Sequence, residues 1–106
     1  MMRFTRKNWV KFFDGSNKKT TIRLKKSKIK HHKAYAGSYF KPELLGEFDI
    51  NQINHVQYKN LTEEDARFDG FKTLEELKNE LERLNGIIEP DTIVYQHWCK
   101  NARNTN

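Results

Sequence analysis

The chain has one cysteine, two prolines and five glycines among its 106 residues. Cys99 alone forms no intramolecular disulfide, so the fold does not rest on disulfides, and a reducing compartment is expected. With so few glycines and prolines, a collagen-like repeat is excluded. No apolar run approaches the roughly 20 residues that span a bilayer, which excludes a transmembrane helix. The start of the chain is basic, but the apolar stretch of a secretory signal does not follow. A cytoplasmic protein is therefore expected. Most catalytic signatures are also missing: there is no P-loop, dinucleotide fingerprint, nucleophile elbow or His-Glu-x-x-His helix.

What is present is aromatic and charged. Seven Phe, four Tyr and two Trp need burial, which argues against a disordered chain. The length suits one domain, taken as residues 1–100 with a polar tail at 101–106. The net charge of +6 hides an asymmetry. Residues 1–41 hold ten Lys and three Arg against the single acid Asp14, a net +12. Residues 42–106 hold seven bases and thirteen acids, a net −6. Such polarity points to a polyanionic partner, with nucleic acid ahead of an anionic membrane surface. A solvated lysine-rich face is the alternative.

Periodicity predicts the elements. Trp9, Phe12 and Phe13 share a stripe on a short helix over 6–14, ended by the turn Asp14-Gly15-Ser16-Asn17. Thr20 to Leu24 read as a strand, with Thr21 and Arg23 on one face and Ile22 and Leu24 on the other. Residues 25–33 read as an exposed basic loop carrying Lys25, Lys26, Lys28 and Lys30. Strands are expected at Tyr35–Phe40, Leu45–Ile50 and Ile53–Tyr58, with a turn at Lys41-Pro42-Glu43 and a bulge or turn at Asn51-Gln52. Thr62 caps a helix that closes at Gly70, and Thr73 with Glu76 caps a second helix along Leu74, Leu77, Leu81 and Leu84. Ile93–Cys99 is the closing strand. The order suggests an α+β domain with a small curved sheet or barrel.

Few residues carry evident chemistry. His31, His32, His97 and Cys99 are the candidate metal ligands, but their spacing matches no metal motif, so no metal and no cofactor are expected. Lys18, Thr21 and Arg23 are more informative. A partly desolvated Lys18 has a lowered pKa and can act as a base, with the Thr21 hydroxyl as its nucleophile. Arg23 can hold a phosphate or a base edge. Residues three apart on a regular strand face oppositely, so Lys18 must sit in the turn to approach Thr21.

These residues carry a resemblance. Ser16-Asn17-Lys18-Lys19-Thr20-Thr21-Ile22-Arg23 resembles the G-x-K-x-x-[ET]-x-R signature of the ASCH (activating signal cointegrator homology) domain, with Ser16 in place of the glycine. Leu61–Leu77 resembles a second block of that family, with Asp69-Gly70-Phe71 followed by the Leu-rich helix, and Val94–Trp98 resembles its closing strand. The resemblance implies a PUA-like β-barrel, closed or nearly so, flanked by short helices. It implies a cleft between barrel and helices that binds RNA or a nucleobase. Small free-standing members include an amidohydrolase acting on N4-acetylcytidine. Its catalytic Lys and Thr fall on Lys18 and Thr21, and its catalytic Glu falls on Asp69, one methylene shorter.

Two functions follow as expectations. One is an RNA- or nucleobase-binding module, with Lys18, Lys19, Arg23, Lys25, Lys26, Lys28 and Lys30 facing nucleic acid and Tyr35, Tyr39 or Trp98 stacking bases. The other is an amidohydrolase acting on a modified nucleoside through Lys18, Thr21 and Asp69. Binding of Met1–Phe13 to a membrane surface is a weaker third, since that short apolar face suits packing on the barrel. A monomer is expected, without a membrane partner.

Overall fold

The computed structural model describes residues 1–105. Ten elements, two of them 3₁₀ turns, follow the chain. Strand β1 is Met2–Arg3 and helix α1 is Arg6–Trp9, continued by a 3₁₀ turn at Val10–Phe12. Strands β2 (Thr20–Arg23), β3 (His31–Gly37) and β4 (Pro42–Gln57) come next. After a second 3₁₀ turn at Tyr58–Asn60 come helices α2 (Glu63–Phe68) and α3 (Leu74–Asn85), then β5 (Ile93–Asn104).

The five strands form one mixed sheet in the order β1-β3-β4-β5-β2. Only β1 and β3 run parallel; every other neighbouring pair is antiparallel. The sheet curls into a half-barrel with helices beside it, an α+β architecture. Its two edges, β1 and β2, are not paired with each other. An open seam therefore separates the start of the chain from the strand that carries Thr21 and Arg23.

Helix starts follow the expected chemistry. Thr62 accepts from the Asp65 amide while the Asp65 carboxylate takes the Thr62 amide, a reciprocal cap. Thr73 accepts from the Glu76 amide, but the Glu76 carboxylate reaches past the cap to the Lys72 amide. Leu77 and Leu81 turn inward from α3 and join Ile22, Ala66, Tyr58 and Val94 in one core cluster. A second cluster lies beneath α1, where Trp9 and Phe48 are almost fully buried. Their rings meet Phe4 and Phe12 at centroid separations of 5.3 to 6.4 Å, mostly edge to face. The aromatic stripe of the first helix is thus core.

Four boundaries differ from the sequence reading. Residues 31–33, read as loop, begin β3, because His32, Ala34 and Ala36 alternate inward and His32 stacks on Phe48. That strand stops at Gly37, so Tyr39 and Phe40 lie in the following turn. β4 is one strand starting at Pro42, with register shifts at Glu47/Asp49 and at Ile50/Gln52, the second at the expected bulge. β5 runs on through Asn104, four residues into the segment read as a polar tail. Arg103 and Asn104 pair with Glu47 and Gly46 of β4, the Arg103 side chain binds Glu47, and the Trp9 indole donates to Asn104 Oδ1 at 2.8 Å. Asn106 lies outside the described residues.

Candidate functional site

The site starts from the needs of an edge strand. β5 satisfies one side of β2; the other side leaves backbone amides that need acceptors. The C-terminal end of α2 supplies them. Phe68 O accepts from the Lys19 amide at 2.7 Å. Asp69 Oδ1 accepts from the Ile22 amide at 3.1 Å and from the Thr20 hydroxyl at 2.9 Å. Lys18 completes the arrangement: Nζ donates to Asp69 O at 3.0 Å and stands 3.5 Å from Asp69 Oδ2. The ammonium therefore meets both a helix-end carbonyl and a carboxylate.

Local backbone makes this possible. Asn17 adopts φ 57°, which turns Lys18 out of line with β2 and resolves the spacing problem. Gly70 has φ 89°, and a side chain there would approach Lys11 and the Lys18 Cβ at 3.1 Å. Glycine thus lets the end of α2 press against the turn. Lys18 and Asp69 are both buried. Burial pushes the Asp69 carboxyl above its ordinary range, opposed first by Lys18 and then by the Thr20 hydrogen bond. Burial pulls the Lys18 ammonium below its ordinary range, opposed chiefly by Asp69.

Thr21 and Arg23 form the next tier. Arg23 Nε donates to Thr21 Oγ1 at 3.0 Å, so the two share a face. Across the seam, the Arg23 guanidinium lies 4.6 Å from the centre of the Phe4 ring. Burial lowers the Arg23 pKa, yet the group has no carboxylate in ion-pair contact among the described residues. Its remaining N–H groups also find no acceptor there.

Lys18, Thr21, Arg23 and Asp69 line one cavity of about 490 Å³. Arg3 and Phe4 form its opposite wall, and Leu77, Glu80 and Leu81 of α3 cover it. That size falls in the usual range for small-molecule sites. The structure thus brings the four residues picked from the sequence into one place. It also adds residues that sequence reasoning missed. Arg3 and Phe4 belong to a strand of two residues and the turn after it, too short for any periodicity. Glu80, which no sequence pattern marks, accepts from Asn8 Nδ2 at 2.7 Å on the cavity rim.

The remaining basic residues lie elsewhere. Lys19, Lys25, Lys26, Lys28 and Lys30 are exposed and do not line the cavity. Leu24 does line it, so the basic loop leaves directly from the cavity rim. His97 anchors that loop. Its Nε2 accepts from the Ser27 amide at 3.0 Å, which assigns the ring proton to Nδ1, and Nδ1 donates to Thr21 O at 3.0 Å. His97 is completely buried and takes the neutral form, its pKa lowered first by burial. Burial pushes the Cys99 thiol up to about 12, which leaves it an unreactive side chain. Among the described residues, no three His, Cys, Asp or Glu side chains gather as a metal-binding group. Of the expected stacking residues, Trp98 packs against Phe68 at 4.9 Å, Tyr35 is half-buried, and Tyr39 is 81% exposed.

Two outcomes follow from this geometry. Asp69→Ala removes the acceptor for an edge amide, a buried hydroxyl and the Lys18 ammonium, and should cost about 3–5 kcal/mol in urea unfolding. Thr21→Ala loses one hydrogen bond and should cost about 1 kcal/mol. The second outcome concerns pH. An unfolded His97 takes a proton near pH 6.5, whereas the native ring does so only at lower pH. Stability from this residue is therefore full above about pH 6.5 and falls as pH drops through the window below it. His32, also depressed first by burial, adds to the same loss. His97→Gln keeps a donor and an acceptor but does not titrate, so it should flatten the pH dependence of the thermal midpoint across that window.

Comparison with known proteins identifies the fold. No family model matches the chain, and no curated protein does. Among solved structures, the high-resolution crystal structure of an ASCH domain from Lactobacillus crispatus JV V101 is similar, with a TM-score of 0.53. The match covers 85% of this chain and 67% of that one at 14% sequence identity. At that identity the likeness is one of architecture: the chain has the fold of an ASCH domain.

Proposed function

We propose that the protein is a nucleic-acid-binding module that takes a nucleobase into the seam cavity. The observation that carries this reading is Arg23. Its half-buried guanidinium reaches the cavity without a protein carboxylate in ion-pair contact, and its Nη groups have no protein acceptor, which leaves them free for a ligand's acceptors. Base carbonyls, ring nitrogens or a phosphate are such acceptors, and the Arg23 fork matches them in pairs. Phe4 and Phe71 give the cavity flat apolar walls suited to a base. The exposed lysines at 25, 26, 28 and 30 leave from the rim, where they reach the backbone phosphates of the same strand.

Amidohydrolysis of a modified nucleoside is the second reading. It is favoured by the lowered pKa of Lys18 and by its place in the same cavity as Thr21. Against it stand the contacts of Asp69, whose carboxylate already holds a strand amide, a hydroxyl and the lysine. These partners favour a structural carboxylate and a charged lysine.

A binding series separates the two. Short single-stranded RNA should bind the wild type, more weakly as salt rises. Arg23→Ala should weaken binding by about ten- to one-hundredfold, the scale of a charge-assisted hydrogen bond. Replacing Lys25, Lys26, Lys28 and Lys30 with Ala should make the log–log salt slope shallower by up to about 3. The wild type should not hydrolyse N4-acetylcytidine. Turnover abolished by both Lys18→Ala and Thr21→Ala would instead establish the hydrolase.

A further inference from the structure

The turn between β3 and β4 presents two neighbouring aromatic rings to solvent: Tyr39 is 81% exposed and Phe40 is 96% exposed. Leaving two large rings in water is unfavourable when neither contributes to the core. The turn that carries them is nonetheless built to a definite shape. Gly37 adopts φ 87°, and a side chain at that position would meet the Lys41 carbonyl at 2.8 Å. The Lys41 amide donates to Ser38 Oγ at 3.1 Å and closes the turn.

The turn is also joined to the cavity. Gly37 and Arg3 both line it. Arg3 donates through Nη1 to Gly37 O, and its guanidinium lies 4.2 Å from the centre of the Tyr39 ring. One arginine thus ties the cavity wall to the aromatic turn. The nearby charge is net positive: Arg3 and exposed Lys41 carry no carboxylate partner among the described residues, while Glu43 is held by Arg6. Rigid aromatic rings beside cationic side chains are the usual means of holding successive bases of a single strand.

We infer that Tyr39 and Phe40 form a stacking platform for nucleotides next to the base held in the cavity, so that the ligand is a single-stranded oligonucleotide and not a free nucleoside. This inference rests on the nucleobase reading of the cavity. Duplex nucleic acid does not fit, because its bases are already stacked on one another. An anionic bilayer is the other surface that exposed aromatics beside cations can meet.

The test uses the full chain and two probes: a fluorescein-labelled single-stranded RNA of about eight mixed-sequence nucleotides, and the four nucleoside monophosphates. Phe40→Ala and Tyr39→Ala should each weaken oligonucleotide binding by about five- to one-hundredfold, the range for loss of one base–aromatic stack. Both should leave monophosphate binding unchanged, while Arg23→Ala weakens both probes. Phe40→Trp should retain affinity, and the new indole fluorescence should be quenched by the oligonucleotide. Oligonucleotide binding that is sensitive to Arg23→Ala but unaffected by Tyr39→Ala and Phe40→Ala would overturn the platform and leave the cavity reading intact. Failure of the wild type to bind either probe at low salt would overturn both. Loss, in the two alanine variants, only of binding to vesicles of mixed phosphatidylserine and phosphatidylcholine would assign the rings to a membrane surface and overturn the inference.

Discussion

The carboxylate of Asp69 does for β2 what another strand would otherwise do. It takes the outward amide of Ile22, the hydroxyl of Thr20 and the charge of Lys18. An edge strand satisfied in this way needs no neighbour on that side. The half-barrel can then remain open between β1 and β2 without leaving buried amides unpaired. The open seam is the cavity. Its floor is the paired sheet, its cover is α3, and its mouth leads to the basic loop.

The same interaction divides labour among the charged residues. Lys18 and Asp69 answer each other and face the backbone, so their charges compensate locally. Arg23 has only a threonine hydroxyl and an aromatic face. Arg23 and Arg3 are thus the cavity-lining arginines without a carboxylate in ion-pair contact among the described residues, and the proposed recognition centres on Arg23. His97 extends the scheme by fastening the loop at Ser27 to the carbonyl of Thr21, so the lysines outside move with the strand that lines the cavity.

The parts of this arrangement legible in the sequence are those with short-range signals. Thr20–Arg23 showed its strand through β-branching, α3 through its leucines, and the bulge near Asn51-Gln52 through a break in alternation. The grouping of Lys18, Thr21 and Asp69 came from a resemblance, because no local pattern links residues 48 positions apart. The role of Asp69 at the strand edge was not legible, since it depends on which strand lacks a neighbour. The start of β3 was hidden because its inward positions are filled by His32 and Ala34, polar or small side chains that do not announce a core. The end of β5 was hidden because Ala102 is the one apolar residue among 101–104, too small to signal the core contact it makes.

The central claim is that the seam cavity, through Arg23, is where nucleic acid binds. The most direct measurement is a nitrogen-15 NMR titration of the labelled protein with single-stranded RNA, following the Arg23 side-chain Nε–Hε signal and the backbone amides of β2. The account predicts that the Arg23 signal and the amides of Thr21 to Leu24 shift together and saturate with the same affinity. An Arg23 signal that stays unchanged while shifts gather on β4 and β5, away from the seam, would contradict it.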